Sequence, residues 1–282
     1  MPDIQSHPCF LTPERLQPEL PLFVFLPGMD GTGRLLRTQT AGLEPAFDVR
    51  CLAIPPDDLT NWQSLTDTVV ALIEAELQQS PDRSVYLCGE SFGGCLAMKV
   101  ALSAPRLFDR LILVNPASSF HRKPLIAWGS QVTRWLPEFA YRLSSIALMP
   151  FLAYLGRVAE SDRQTFYDAV LSVPQKTSIW RLSLLGDFDV EDEQLSQLQQ
   201  PVLLLASAGD RLLPSLAEVQ HLEKWFPHAQ AVVLPYSGHA CLLEADVNLY
   251  EIMQAQNFLT EHSQSLARSR RATSSTVPIP AE

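Results

Sequence analysis

The sequence is short of the features that mark several protein classes. Its five cysteines, at positions 9, 51, 88, 95 and 241, are odd in number and lack the paired short spacings of zinc sites. Neither a disulfide framework nor a metal centre is expected, and the thiols read as core residues of a protein kept in a reduced compartment. Basic charge is scarce as well: 21 Lys and Arg against 31 Asp and Glu give a formal net charge of −10. An acidic field repels phosphate backbones, which excludes nucleic acid as a partner. No apolar run approaches the roughly 18 residues of a membrane span. The longest, 146–155, is interrupted by Pro150. The first twenty residues carry proline and both charge signs without an apolar centre, so no secretory signal is expected and the chain reads as cytoplasmic, soluble or peripherally membrane-associated. No internal repeat is evident.

What is present fits one large domain, since 282 residues at 46% hydrophobic content can bury a substantial core. Short apolar runs at Leu22–Leu26, 49–54, 84–88, 111–114, 202–206 and 231–234 predict strands, several of them apolar throughout as strands covered on both faces require. Helical spacing over 65–77, 95–102, 216–226 and 247–259 alternates with them. The pattern predicts an α/β fold with a mostly parallel, doubly wound sheet. Residues 1–19 read as an N-terminal extension, 20–119 and 186–262 as two parts of the core, and 263–282, rich in Ser, Arg and Pro, as a disordered tail. Between the two core parts, 120–185 breaks the alternation, with tryptophans at 128, 135 and 180 and prolines at 124, 137, 150 and 174. It reads as a helical cap inserted between two strands.

Residues 86–94, YLCGESFGG, hold one Gly-x-Ser-x-Gly, made by Gly89, Ser91 and Gly93, between a strand-like and a helix-like run. A nucleophile elbow needs small residues two positions either side of the serine because the chain turns sharply there. Such a serine needs a histidine to accept its proton, and the histidine needs a carboxylate to fix its tautomer. Asp210 follows the 202–206 strand and His239 the 231–234 strand, both at carboxyl ends, where ligands meet an open parallel sheet. Ser91, Asp210 and His239 are the expected triad. For a tetrahedral oxyanion, the backbone N–H of Phe92 is one expected donor, at the start of a helix whose dipole adds positive potential. The loop Pro27-Gly28-Met29-Asp30-Gly31-Thr32-Gly33 supplies the second by position, through the Met29 N–H. One such donor contributes about 3 kcal/mol to the transition state.

Other readings stand beside these. The glycines at 28, 31 and 33 are spaced G-x-x-G-x-G, without a Walker lysine, which weighs against a nucleotide loop. Asp210 could cap the following helix, leaving Asp187 or Asp189 as the acid, although both precede the 202–206 strand. His7, His121, His221, His228 and His262 read as solvated or locally bonded, and Cys88 and Cys95 as small buried thiols.

Ser91, Asp210, His239 and the Pro27-Gly28 loop resemble the α/β-hydrolase superfamily over about residues 20–262. FLPGMDGTG, FDVRCLAIPPDD, VYLCGESFGGCLAM and LVNPASSF resemble more closely the hydrolase portion of the phytyl ester synthase group, the esterase/lipase/thioesterase proteins of plastids and cyanobacteria. The resemblance implies acyl transfer on lipid esters or thioesters without a cofactor, in the cytoplasm or plastid stroma, with water or a long-chain alcohol such as phytol as acceptor. Plant members carry a further acyltransferase-like region with an H-x-x-x-x-D motif. No histidine here has an aspartate five residues on, and His239 has Glu244, so hydrolysis is the expected chemistry. A small-ester or haloperoxidase-like hydrolase and a non-catalytic ligand-binding protein are the alternatives. Trp128, Val132 and Trp135 fall at helical spacing, and Arg122, Lys123, Arg134, Arg142 and Arg157 outnumber Glu138 in the same region. This basic stretch of an acidic chain points to contact with an anionic lipid surface.

Overall fold

The computed structural model describes residues 7–78, 80–122 and 136–260. Seven strands form one sheet: β1 (Cys9–Leu11), β2 (Leu22–Leu26), β3 (Asp48–Ala53), β4 (Val85–Glu90), β5 (Arg110–Val114), β6 (Val202–Ser207) and β7 (Ala229–Leu234), in the order β1-β3-β2-β4-β5-β6-β7. From β3 to β7 every neighbour is parallel, and only β1 runs antiparallel, with Cys9 opposite Ala53. β1 lies inside the stretch read from sequence as an extension. Three residues are too few for a strand period to register.

Period-2 alternation divides the apolar strand residues between two cores. Leu22, Val24, Leu26, Leu87, Leu111 and Leu204 face one side with α2 (Trp62–Leu77) and α3 (Phe92–Ser103). Phe23, Phe25, Cys51, Tyr86, Ile112 and Leu203 face the other with α1 (Arg37–Leu43) and α9 (Leu249–Ala255). Because both faces are covered, β2, β4 and β6 are buried along their whole length, which is why they read as unbroken apolar runs.

Helix ends differ from the expected spans for local reasons. The Asn248 side chain accepts the Glu251 amide and starts α9 at Leu249, and Asn257 has φ 52°, a left-handed conformation that a continuing helix cannot hold. The helix expected at 216–226 is α8 (Ser215–Leu222), after which the chain tightens into turns that bond to His221 and Leu222.

Between β5 and β6 lie a 3-10 turn at Ala117–Arg122 and the helices α4 (Glu138–Leu152), α5 (Glu160–Leu171) and α6 (Gln175–Gly186), followed by the single turn α7 (Asp192–Leu195). Met149, Ala153, Val158, Phe166 and Ala169 form a third core with Leu35, Ala240 and Leu243, which docks these helices onto the carboxyl side of the sheet. Trp128, Val132 and Trp135, with Lys123 and Arg134, lie outside the described residues, as do His262 and the tail 263–282.

Candidate active site

β4 ends at Glu90 and α3 begins at Phe92, so one residue, Ser91, makes the whole strand-to-helix turn. It has φ 53° and ψ −114°, a conformation that costs a non-glycine residue about 1–3 kcal/mol and persists only where the surroundings enforce it. The enforcement is visible. The Ser91 amide donates to the Val114 carbonyl at 3.0 Å, and its own carbonyl receives the Ala117 amide at 3.1 Å. A side chain on Gly93 would strike the Leu26 and Pro27 carbonyls, and one on Gly89 would strike the Gly93 backbone. Close approach, not rotational freedom, requires glycine at both.

His239 Nε2 lies 2.9 Å from Ser91 Oγ, and His239 Nδ1 lies 2.7 Å from Asp210 Oδ2. The structure therefore brings together the three residues named from sequence, although 148 positions separate the serine from the histidine. Asp210 is saturated with donors: Oδ1 accepts the Leu212 and Leu213 amides at 2.8 and 2.9 Å, and Oδ2 also accepts the Ser215 hydroxyl. Burial alone would raise its pKa. The hydrogen bond from His239, its charge, and the bonds from Ser215 and Leu213 outweigh burial and hold the carboxyl below its usual range. Asp187 and Asp189 are exposed, and Asp189 pairs with Lys99 at 2.5 Å. Neither reaches His239. His221 bonds to Asp192, while His7 and His228 are exposed.

The loop after β2 lies beside the serine, since a Cβ on Gly28 would sit 3.8 Å from Ser91 Cβ. The amides of Met29 and Phe92 donate to no acceptor among the described residues. Phe92 is fixed by stacking on Trp62 with ring centroids 4.7 Å apart. Two acids also border the site. Asp30 accepts the Thr32 amide and hydroxyl, yet desolvation raises its pKa above the usual value. Glu90 is 6% exposed with Oε1 unpartnered, and burial, followed by repulsion from Asp30, pushes it up to about 8. Burial also pushes the Cys88 and Cys95 thiols well above their ordinary range.

Several supporting residues were not legible in the sequence. Asn115, fully buried at φ 43°, donates from Nδ2 to the His239 carbonyl at 2.6 Å and to Ser207 Oγ at 2.9 Å, and its Oδ1 accepts the Ser207 amide. It thereby ties the His239 loop to β6. Glu244 accepts the Gly238 amide at 2.7 Å, and Tyr154 packs against Gly209 and Gly238. A polar residue directly after an apolar strand was the available signal for Asn115. Among the described residues no three His, Cys, Asp or Glu side chains converge to hold a metal ion, and no helix is long and apolar enough to cross a membrane.

The α/β hydrolase fold family matches residues 26–246, from the end of β2 past His239. The chain belongs to the α/β hydrolase family. This α/β hydrolase is 34% identical over 259 residues to phytyl ester synthase 1, chloroplastic, of Arabidopsis thaliana, a match covering 84% of the chain and 37% of that relative. It thus spans under two fifths of that protein's length. It is 28% identical to the pimeloyl-[acyl-carrier protein] methyl ester esterase of Vibrio campbellii, over 78% of the chain and 88% of the relative. Among solved structures, MenH from S. aureus superposes with a TM-score of 0.71 at 16% identity, covering 92% of this hydrolase and 99% of that chain. The last likeness is one of fold.

Proposed function

We propose that the chain is a serine hydrolase that cleaves a carboxylic ester or thioester bearing a lipid acyl chain. The observation that carries the reading is the unbroken line from Ser91 Oγ through both ring nitrogens of His239 to Asp210. Ser91 Oγ attacks the acyl carbonyl while His239 Nε2 takes its proton, and Asp210 stabilises the imidazolium. The unbonded amides of Met29 and Phe92 receive the oxyanion, and the dipole of α3 adds to them. His239 then returns the proton to the departing alcohol or thiol. Water resolves the acyl-enzyme by the same route in reverse, and a long-chain alcohol entering in its place would make the reaction an acyl transfer. The triad is indifferent to which acceptor arrives.

The lipid half of the reading rests on the helices of 120–185, which we take as a cap. α4 exposes Phe139, Leu143, Ile146, Leu148 and Phe151, an unusual concentration of apolar surface for one helix. Arg142 is exposed among them, whereas Arg157 is engaged with Glu244 and Asp246. The apolar face, rather than a basic one, is the better argument for contact with a lipid surface. The names of the relatives, an ester synthase and an ester esterase, are consistent with ester chemistry.

The test is labelling by a fluorophosphonate probe in the wild type and in Ser91→Ala, followed by incubation with lipid esters with and without phytol. Labelling and hydrolysis are expected in the wild type alone. Equal labelling of both proteins would defeat the assignment of the nucleophile.

A further inference from the structure

Arg181 is the largest fully buried side chain among the described residues, 2% exposed, and it belongs to α6 rather than to the core that holds Ser91. Among the described residues its guanidinium pairs closely with no carboxylate. Nη1 donates to the Met29 carbonyl at 2.6 Å and Nη2 to the Pro55 carbonyl at 3.2 Å. Burial works against its charge, and the fields of Asp30 and Asp58 work in favour. A buried cation is costly, and an apolar side chain of similar volume would pack a helix onto a loop as well or better. α6 is in any case already fastened nearby, by Trp180 Nε1 on the Thr60 carbonyl at 3.0 Å and by its Leu184 carbonyl on Trp62 Nε1 at 2.7 Å. Packing therefore does not account for the guanidinium.

The loop it touches does. Residues 28–31 form a turn closed by the Gly31 amide on the Gly28 carbonyl at 3.0 Å. Because the peptide is planar and trans, fixing the Gly28 carbonyl aims the Met29 N–H of the same peptide to the opposite side. The next peptide carries the Met29 carbonyl and is the central one of the turn, the unit that rotates by about 180° between the two common turn types. The Nη1 bond holds that peptide in one orientation. Gly31 has φ 68°, and a Cβ on it would lie 2.7 Å from Nη1 and 2.9 Å from Nη2, so the missing side chain is the space the guanidinium occupies.

We propose that Arg181 is a positioning residue: by holding the Met29 carbonyl it braces the 28–31 turn whose first peptide presents the Met29 N–H as an oxyanion donor, so that α6 supports the oxyanion hole. The inference rests on the serine-hydrolase reading above. Arg181 touches no reacting atom and acts through the turn.

The experiment measures hydrolysis of a soluble chromogenic ester, and inhibition by a trifluoromethyl ketone that forms a tetrahedral adduct on serine, for wild type, Arg181→Lys and Arg181→Ala. Folding is followed by thermal denaturation, and active sites are counted by fluorophosphonate titration. Losing one oxyanion donor outright lowers kcat by about 100- to 1,000-fold, and misaligning one is expected to lower it by about 10- to 100-fold. KM is expected to stay within about threefold of wild type, and ketone affinity to fall in step with kcat/KM. Added guanidinium is expected to restore kcat in Arg181→Ala, which also shows that the variant is folded. An unchanged kcat per titrated site, a rise in KM alone, or rescue of melting temperature without rescue of kcat would overturn the proposal. A wild type that is neither labelled nor active would instead overturn the hydrolase reading.

Discussion

Arg157 and Glu244 form an ion pair at 2.7 Å between the segment leading into α5 and the chain five residues past His239. The fully buried Glu244 carboxylate divides its oxygens, Oε2 taking Arg157 and Oε1 taking the Gly238 amide next to the histidine. Removing it leaves the buried Gly238 amide without this acceptor and the Arg157 guanidinium with Asp246 alone. Glu244→Ala is expected to lose about 3 kcal/mol of stability and to lower kcat through a loosened His239 loop. Glu244→Gln, which keeps an acceptor for Gly238, is expected to lose less on both counts. Urea denaturation together with ester hydrolysis checks the order.

Glu90 predicts a pH dependence of stability. Its carboxyl titrates near 4.5 in an unfolded chain and near 8 when folded, so between those values the folded state holds a proton that the unfolded state has released. The stability tied to that proton is present at low pH and lost as pH rises from about 4.5 to about 8. Glu90→Gln, which cannot ionise, is expected to be more stable than wild type at pH 8.5 and to lose most of that advantage by pH 5. A difference in urea midpoint that stays constant across this range would contradict the protonated form.

The glycines separate by environment. Gly93→Ala sets a methyl group against the Leu26 and Pro27 carbonyls, which are backbone and cannot move aside. Its expected outcome is loss of fluorophosphonate labelling. At Gly186, the last residue of α6, a methyl group would meet nothing within 4 Å, and Gly186→Ala is expected to add about 0.5–1 kcal/mol and to raise the melting temperature by about 2 °C.

The exposed face of α4 predicts a difference between soluble and lipid substrates. Leu143→Glu combined with Ile146→Glu is expected to reduce co-sedimentation with phospholipid vesicles at least about fivefold. Turnover of a short soluble ester should be unchanged. Undiminished vesicle binding would place the lipid contact elsewhere.

What could be read from the sequence and what could not follow from the range of the signals. β2, β4 and β6 were legible because burial on both faces makes them unbroken apolar runs, and the turn at Ser91 was legible because its steric demand falls on Gly89 and Gly93, two positions away. Asp210 and His239 could be named because each follows a recognisable strand, whereas Asp187 and Asp189 precede one, and the hydrogen bond to His239 then falls on Asp210. Arg181 gave no signal, because its bond to Met29 spans 152 residues and nothing in the spacing of a helical arginine points to a glycine turn. Asn115 and Glu244 act through backbone groups, which leave no mark on the residue types they bind.

The separation of 148 residues between Ser91 and His239 bears on the protein's biosynthesis. A ribosome that has released β4, α3 and β5 has delivered the serine and the Val114 carbonyl that holds its turn, and the imidazole that bonds to it follows only after β7. Until β6 and β7 have joined the sheet beside β5, Ser91 is an ordinary alcohol. On the proposed mechanism, nascent chains and fragments cut between β5 and β6 are expected to be silent towards the esters around them, with reactivity appearing on completion of the sheet.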